Sequence, residues 1–187
     1  MVTLSGLIVR AATAEDVSAM NALDVSYETD YVWQIDLRGD ESGAIQVGLR
    51  TARLPRLMKV NYPRHFGQLQ AALRWSTDFG VLLSAELLGE VCGYALIRFD
   101  LGRSAAWIIE LAVGRAWRRR GIGSALLHSA YVHAQERGIR ALSVETQTKN
   151  YPAISFCQKN GLVFCGYNDL YYANGDIALF FGQNVRS

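Results

Sequence analysis

The segment that most constrains the fold spans residues 105–146 and reads as a strand, a helix and a second strand. Its first part, "AAWIIELAV", and its last part, "ALSVET", are rich in the residues that strands favour. Between them, "GIGSALLHSAYVHAQERG" carries apolar residues at helical spacing and ends at Gly138, a residue type that often terminates helices. Strands joined through a helix normally lie parallel in one sheet, with a right-handed crossover, so this segment predicts a parallel strand pair.

The sequence on either side of this unit predicts further strands. "FGVLLSAEL" and "EVCGYALIRF" flank the turn "LGE" and predict a hairpin ahead of the unit. After it, "LVFCGYN", "LYYAN" and "DIALFFG" predict strands that close the chain. Near the amino terminus, "LIVRAAT" predicts one more strand.

Three other segments predict helices, and one long region is harder to interpret. "TAEDVSAMNAL", "RHFGQLQAALRW" and "NYPAISFCQKNG" predict helices, and Asn150 is a candidate cap for the last of them. Residues 31–62 mix strand-like residues with glycine and proline, and predict short strands and loops. We therefore expect one domain over residues 1–187, of the α/β (α+β) class, with a mixed sheet.

The composition is that of a globular protein and does not favour a charged partner. Of the 187 residues, 50% are hydrophobic and 19% are charged, and the formal net charge is +2. Three cysteines without a CxxC pair favour reduced thiols. The first residues lack the features of a signal peptide, and no apolar run is long enough to cross a membrane. We therefore expect a cytoplasmic protein with no membrane partner.

The loop between the first strand and the helix of the central unit combines positive charge with glycine. Four arginines between residues 115 and 120 precede Gly121 and Gly123. A helix start exposes backbone N–H groups and partial positive charge, and glycine lets a ligand approach that backbone closely. Arginine adds bidentate donors for phosphate oxygens, so the loop predicts a cradle for a diphosphate group. A solvated basic loop with glycines at a tight turn is the alternative.

Other phosphate-binding and nucleic-acid interpretations fit this loop less well. A P-loop requires a lysine that is absent here. A dinucleotide fingerprint requires a tight turn straight after the strand, whereas seven residues separate Val113 from Gly121 and Leu126 replaces the third glycine. Nucleic-acid binders usually spread basic residues and stacking aromatics over a face, whereas these arginines are confined to one loop, so we expect no nucleic-acid partner. The histidines, without acidic or cysteine neighbours at ligand spacing, predict no metal site.

The pattern Arg118-x-x-Gly121-x-Gly123 resembles the acyl-CoA signature R/Q-x-x-G-x-G/A of the GNAT superfamily of N-acetyltransferases. "IIELAV" resembles the fourth strand of that family, and "ETQTKNYPAISFCQKNGLVF" resembles its E-x(4)-N-x-x-A-x-x-F-Y-x-K-x-G-F segment. "NALDVSYETD" and "FCGYNDLYYANGDIALFF" are similar to parts of the streptothricin acetyltransferase group. The positions that match the longer motif are Glu145, Asn150, Ala153, Phe156, Lys159 and Gly161, with Leu162 in place of the final Phe.

This resemblance implies a GNAT-like, largely antiparallel sheet with splayed central parallel strands and flanking helices. It implies acetyl-CoA as cosubstrate, with its pantetheine arm in the gap between the splayed strands and its diphosphate at the amides from Arg119 to Ser124. Arg118 and Arg120 would add charge. The resulting candidate cofactor contacts are Leu111, Ala112, Val113, Arg118, Arg119, Arg120, Gly121, Ile122, Gly123, Ser124, Asn150, Ala153 and Phe156.

Two glutamates are candidate catalytic residues, because an amine is protonated at neutral pH and must lose a proton before it attacks a thioester. Strict alternation in "AAWIIELAV" places Glu110 with Ile108 and Ala112, on the face opposite Leu111. Glu145 ends the next strand, and the ribosomal-protein alanine acetyltransferases of this family use the matching Glu as base. A helix cap or an ion pair with arginine is the alternative role for either carboxylate.

The general acid and the acceptor are less defined. Cys157 stands where many family members carry a Tyr that protonates the departing thiolate, and it is either a proton donor or a small core residue. Tyr151, Tyr171, Tyr172 or water are alternative donors. Residues 21–41 are acidic with interleaved aromatics, which favours a cationic amine if the segment lines the acceptor mouth and otherwise indicates a solvated edge. We expect the acceptor to be an amine of a small molecule or peptide. A non-catalytic acyl-CoA-binding or sensor protein of the same fold is the alternative function. The sequence leaves open whether the protein forms a homodimer.

Overall fold

The structure, a computed structural model, describes residues 5–39, 41, 43–61, 67–75 and 78–185. The strands in these ranges are β1 (Leu7–Ala11), β2 (Tyr27–Gly39), β3 (Ile45–Val60), β4 (Gly80–Leu87), β5 (Glu90–Asp100), β6 (Ala105–Val113), β7 (Ala141–Gln147), β8 (Val163–Asn168) and β9 (Ala178–Asn184). The α-helices are α1 (Asp16–Ala22), α2 (Gln68–Ala72), α3 (Ile122–Glu136) and α4 (Tyr151–Lys159), and a short 3-10 helix spans Arg115–Trp117. No helix within the described ranges is long and apolar enough to cross a membrane.

Seven strands form one sheet in the order β1-β4-β5-β6-β7-β9-β8, while β2 and β3 form a separate two-stranded ribbon. All neighbours in the sheet are antiparallel except β6 and β7, which are parallel. Helix α3 connects these two strands, and the β4–β5 hairpin precedes them, as the sequence predicts. The expected α/β (α+β) class, with a mixed and largely antiparallel sheet, is confirmed.

Helices pack on both faces of the sheet, and each face has its own apolar core. On the first, which we call the α3 face, Leu126 of α3 packs in one cluster with Ile108 of β6, and α4 contributes to the same cluster. On the second, the α1 face, Met20 of α1 packs in one cluster with Leu96 of β5, and α2 adds to it. Because side chains alternate along a strand, the face that a residue occupies decides which core or cavity it meets.

The two central parallel strands diverge towards their carboxyl ends. They pair only from Ala105↔Ala141 to Ile108↔Val144, although β6 continues to Val113 and β7 to Gln147. Beyond Ile108, the side of β6 that faces β7 has therefore lost its strand partner. The splay that the family resemblance implies is present, and it opens a gap in the middle of the sheet.

The ribbon is where the sequence prediction is most clearly wrong, because residues 31–62 are not short strands and loops. Strands β2 and β3 pair along almost their full length, interrupted by a register shift at Thr29/Tyr31 that leaves residues 54–57 bulged. Trp33 and Leu49 pack against the α3-face core, and the N–H of Trp33 donates to the carbonyl of Thr148 at 2.9 Å. This packing comes from distant parts of the chain and outweighs the local glycine and proline signals; residues 40, 42 and 62 lie outside the described ranges.

Two smaller predictions also differ from the structure. "LYYAN" forms a turn, in which the rings of Tyr171 and Tyr172 meet edge to face with centroids 5.0 Å apart, whereas neighbouring residues of a strand point to opposite faces. The N–H of Leu170 donates to Oδ1 of Asn168 at 2.8 Å, a local bond typical of turns. The helix expected over residues 64–75 covers only α2, and residues 64–66 lie outside the described ranges.

Candidate active site

A cavity of about 610 Å³ opens in the gap between β6 and β7. It is bounded by the diverging strands, by the start of α3, by α4 and by Val25 and Tyr27 at the start of the ribbon. Every candidate cofactor contact named above lines this cavity except Arg120, and both candidate catalytic glutamates line it too. The fold thus brings together residues that are widely separated in sequence. Within the described ranges, no group of three or more metal-ligating side chains is placed to hold a metal ion.

The start of α3 presents backbone N–H groups to this cavity. The first hydrogen bond along the helix runs from the N–H of Ala125 to the carbonyl of Gly121 at 3.0 Å, so the amides that precede Ala125 have no partner inside the helix. The chain enters the helix with positive φ at Arg119 (64°) and at Gly121 (87°). A Cβ added at Gly121 would meet no atom within 4 Å, so the backbone there is open to a ligand. These amides and the partial positive charge of the helix start favour an anion.

Gly123 has a different role from Gly121, because it brings α3 and α4 into close contact. A Cβ at this position would lie 3.1 Å from Cε2 of Phe156, which is tighter than ordinary packing. Phe156 packs against the α3-face core and also lines the cavity. The sequence assigns both glycines to ligand approach, whereas the structure assigns Gly123 to helix packing as well.

The arginines of the loop serve different purposes. Arg118 donates from Nε to the carbonyl of Val113 at 3.0 Å and from Nη1 to the carbonyl of Ser26 at 2.7 Å, which ties the loop to β6 and to the chain before β2. Burial lowers the pKa of Arg118 from its ordinary value. Arg120 stacks over the ring of Trp117 at 5.2 Å and does not line the cavity. Arg119 is exposed and lines the cavity, so it is the best placed of these cations to meet an anionic ligand.

A β-bulge in β6 aims the carboxylate of Glu110. Leu96 pairs with Glu110 but the next residue of β5, Ile97, pairs with Ile108, so Ile109 is an extra residue in the strand. Ile108 therefore lies in the α3-face core, while Ile109 packs against the α1-face core. Strict alternation correctly groups Glu110 with Ala112 on the face opposite Leu111, but its grouping of Glu110 with Ile108 is wrong, because the bulge resets the phase of the strand between them. Glu110 instead points to the α1 face, where the hydroxyl of Tyr94 donates to its Oε1 at 2.6 Å.

Glu145 lies across the gap from Glu110 and in different surroundings. It pairs in register with Phe180 of β9, whereas the next residues, Thr146 and Leu179, are buried. The hydroxyl of Tyr172 donates to Oε1 of Glu145 at 3.4 Å. Burial raises the pKa of Glu145, and the Tyr172 hydrogen bond and the charge of Arg98 oppose that shift. A half-buried carboxylate with a raised pKa is a stronger base than an ordinary one and is therefore suited to accept the proton of an amine.

Cys157, which replaces the usual tyrosine, is a packing residue. Its side chain is 3% exposed and belongs to the α3-face core. Burial raises the pKa of its thiol to about 12. Proton transfer from such a thiol to a thiolate of ordinary pKa is uphill by several kcal/mol. The interpretation of Cys157 as a core residue is confirmed.

We expect Cys157→Ala to leave kcat within about twofold of the parent value and to lower the free energy of unfolding by about 1–2 kcal/mol, because it removes packing and not a proton donor. Amine-dependent release of CoA and urea unfolding measure the two effects. Cys165→Ala, on the exposed β8, is the matched control and should change neither quantity. A hundredfold loss of kcat in a folded Cys157→Ala protein would restore the thiol as general acid.

The acidic segment around β2 carries less unbalanced charge than its sequence suggests. Four of its acids, Asp24, Glu28, Asp30 and Asp36, lie near arginines from the segment itself, from β3 and from the α3 loop. Asp24 accepts hydrogen bonds from Ser26, which lower its pKa, and the charges of Arg115 and Arg118 act in the same direction. Of the residues of this segment that the structure describes, Val25 and Tyr27 are the ones that line the cavity. The ion pairs are Glu28–Arg115 at 3.0 Å, Asp30–Arg53 at 3.4 Å and Asp36–Arg38 at 2.7 Å.

Sequence reasoning missed three residues that shape this site. Tyr94 contacts Glu110 only because the bulge turns the carboxylate to its face, and a bulge leaves no signal in a short apolar run. Val25 and Tyr27 line the cavity from the segment "NALDVSYETD", which the sequence pattern singles out without assigning either residue to the site. The cap at Asn150 is found as predicted, since its Oδ1 accepts the N–H of Ala153 at 3.2 Å.

Comparison with known proteins agrees with this geometry. The acetyltransferase (GNAT) family profile matches residues 50–162. The chain is 28% identical to the streptothricin acetyltransferase of Streptomyces lavendulae over an alignment of 177 residues. This alignment covers 91% of each protein. The crystal structure of a nourseothricin acetyltransferase superposes with a TM-score of 0.82 at 22% identity, covering 97% of this chain and all of that one.

A second structure carries the cosubstrate of the family. It is a candidate streptothricin acetyltransferase from Bacillus anthracis str. Ames, in complex with acetyl coenzyme A, and it superposes with a TM-score of 0.80 at 19% identity. The superposition covers 96% of this chain and 99% of that one, so the two share a fold over nearly their whole length. With a family match over more than half of the chain and a fold shared end to end, the chain belongs to the GNAT family of acetyltransferases.

Proposed function

We propose that this N-acetyltransferase moves the acetyl group of acetyl-CoA to a primary amine of a small molecule or peptide, by direct attack of the amine nitrogen. One observation carries the proposal: a single cavity in the splayed sheet joins open helix-start amides to the carboxylates of Glu110 and Glu145. The first feature suits an anionic carrier, and the second suits an amine that must lose a proton.

The residues present fit acetyl-CoA as cosubstrate. The amides between Arg119 and Ser124 and the exposed Arg119 would hold the diphosphate. The pantetheine arm contains amide groups, and the edge of β6 beyond Ile108 offers backbone groups that no neighbouring strand satisfies. Phe156 provides an apolar wall on the α4 side. The acetyl coenzyme A bound by the Bacillus anthracis neighbour supports this assignment.

The carboxylates of Glu110 and Glu145 have different roles toward the acceptor amine. Glu110, fixed by Tyr94, supplies negative charge that draws an ammonium group to the α1 face. Glu145, whose pKa burial raises, takes the proton of the amine directly or through water. The nitrogen then forms a bond to the thioester carbonyl carbon while the carbon–sulfur bond breaks. The departing thiolate takes a proton from water or from a tyrosine such as Tyr172, whose hydroxyl contacts Glu145.

The raised pKa of Glu145 predicts opposite pH trends for activity and stability. Because the base must be ionised, kcat should rise as the pH rises through the pKa of Glu145. In Glu145→Gln this rise of kcat with pH should be absent. The native carboxyl keeps its proton to higher pH than in the unfolded chain, where its pKa is near 4.5. Protonated Glu145 therefore makes its full contribution to the free energy of unfolding below about pH 4.5. This contribution is lost as the pH rises through the pKa that Glu145 has in the native protein.

Rate profiles and urea unfolding across this pH range test the assignment. Compared with the parent protein, Glu145→Gln should lose less stability between pH 4.5 and neutrality, because glutamine does not titrate. If kcat and the free energy of unfolding depend on pH in the same way in the parent protein and in Glu145→Gln, Glu145 is not the base.

A panel of amines distinguishes the enzyme from a non-catalytic acyl-CoA-binding protein. We expect CoA release, followed with a thiol reagent, to depend on the amine, and we expect mass spectrometry to detect the acetylated amine. Acetyl-CoA binding without acetylation of any amine would contradict the proposed function and favour a sensor of the same fold.

A further inference from the structure

A chain of four aromatic rings, which we call the aromatic shelf, runs away from Glu145 on the same face of the sheet. Its members are Trp107, Phe180, Tyr171 and Tyr172. Trp107 and Phe180 meet edge to face with centroids 6.2 Å apart, and Phe180 meets Tyr171 in the same way at 5.4 Å. Tyr171 continues to Tyr172 at 5.0 Å, and the hydroxyl of Tyr172 reaches Glu145. The shelf is thus continuous with a wall of the cavity.

The shelf lies on the α1 face of the sheet and is not part of a closed core. Phe180 pairs in register with Glu145, while its neighbour Phe181 is buried in the α3-face core. Tyr171 is 47% exposed, and the other three rings are half-buried. Glu110 and Glu145 project on this same face, so the body of an acceptor whose amine they held would have the shelf beside it.

The charges around the shelf are mixed. Arg98 pairs in register with Trp107 and exposes its side chain on this face. Its positive charge acts on both Glu145 and Tyr171.

Glu110 and Glu145 face the same region and are assigned to the attacking amine. Asp100 lies on the same face of β5 as Arg98, but its carboxylate accepts the backbone N–H of Arg103 at 3.0 Å and pairs with the Arg103 guanidinium at 3.6 Å. A second positive charge on the acceptor would therefore be repelled by Arg98.

We propose that the aromatic shelf binds the body of the acceptor, and that Arg98 makes the site prefer an amine with an aromatic body and a single positive charge over a diamine. This inference rests on the proposed function and adds the class of acceptor to it. Stacking and edge-to-face contacts with Tyr171 and Phe180 would hold a flat ring, while the amine reaches the two carboxylates.

The test compares kcat/KM for phenethylamine, butylamine and putrescine, each with saturating acetyl-CoA. The parent enzyme should favour phenethylamine over butylamine by about tenfold, and butylamine over putrescine by a similar factor. Tyr171→Leu removes the ring and should lower the first ratio about fivefold, whereas Tyr171→Phe keeps the ring and should preserve it. Arg98→Gln should raise the rate with putrescine relative to butylamine, and Arg98→Lys should not.

Ratios of two amines cancel any effect of Tyr171 on proton transfer, because such an effect would change all three rates together. Equal ratios in the parent enzyme and in Tyr171→Leu would overturn the role of the shelf, and a parent enzyme that prefers putrescine would overturn the role of Arg98. Both results leave acetyl transfer intact, so they are distinguishable from failure of the proposed function. An enzyme that acetylates none of these three amines would overturn the inference, while acetylation of another amine of the wider panel would leave the proposed function intact.

Discussion

Replacing Gly121 by aspartate is expected to raise the Kd for acetyl-CoA by at least about a hundredfold while the fold survives. The new carboxylate would stand in the open space above the helix start, where the diphosphate is proposed to bind, and would repel it. The positive φ of 87° at this position adds a strain of about 1 kcal/mol for a residue with a Cβ. The negative charge of an aspartate at the start of α3 interacts favourably with the helix dipole, so the free energy of unfolding should fall only slightly.

Gly121→Asn is the matched control, because asparagine has the same shape, tolerates positive φ and carries no charge. We expect its Kd for acetyl-CoA to rise by no more than about tenfold. Isothermal titration calorimetry gives both affinities, and circular dichroism checks that the variants are folded. If Gly121→Asp binds acetyl-CoA as tightly as the parent protein, the diphosphate site lies elsewhere.

The second large effect is expected from the double variant Glu110→Gln, Glu145→Gln, whose kcat should fall by about a hundredfold or more. Glutamine keeps the shape of each side chain and one oxygen that can accept the hydrogen bond of the neighbouring tyrosine hydroxyl, but it can neither take a proton nor attract an ammonium group by charge. Burial raises the pKa of Glu145 and so makes its carboxylate a stronger base, and its single replacement should therefore account for most of the loss. The Kd for acetyl-CoA should not change, since neither carboxylate meets the diphosphate.

Glu136→Gln provides the control for this experiment, because Glu136 lies at the far end of α3 from the cavity and is exposed. Its kcat should match that of the parent enzyme. Stopped-flow or steady-state assays with one amine suffice for all variants, provided that acetyl-CoA is saturating. Full activity in the double variant would remove both glutamates from the reaction and would require another route for the amine proton.

The parts of the fold that depend on local pattern could be predicted from the sequence. The apolar runs around residues 105–146 and the helical spacing between them identify β6, α3 and β7, because each element carries its own periodicity. The motif from Arg118 to Gly123 likewise identifies the start of α3 at the cavity. These signals are short-range, so no knowledge of the tertiary structure is needed to interpret them.

The parts that depend on distant contacts could not be predicted. The ribbon forms because Trp33 and Leu49 find an apolar surface that is assembled from later elements, and its glycines gave no indication of that surface. The bulge at Ile109 is set by the pairing of β6 with β5, so strict alternation placed Ile108 on the wrong face. Arg118 matches the family signature as a charged residue, yet the structure uses it to hold two backbone carbonyls.

A crystal structure of the protein with acetyl-CoA tests the central claim most directly. The account predicts diphosphate oxygens within about 3.2 Å of backbone nitrogens between Arg119 and Ser124, with the acetyl group in the gap between β6 and β7 and facing Glu110 and Glu145. A diphosphate bound away from the start of α3, or an acetyl group outside this gap, would contradict it.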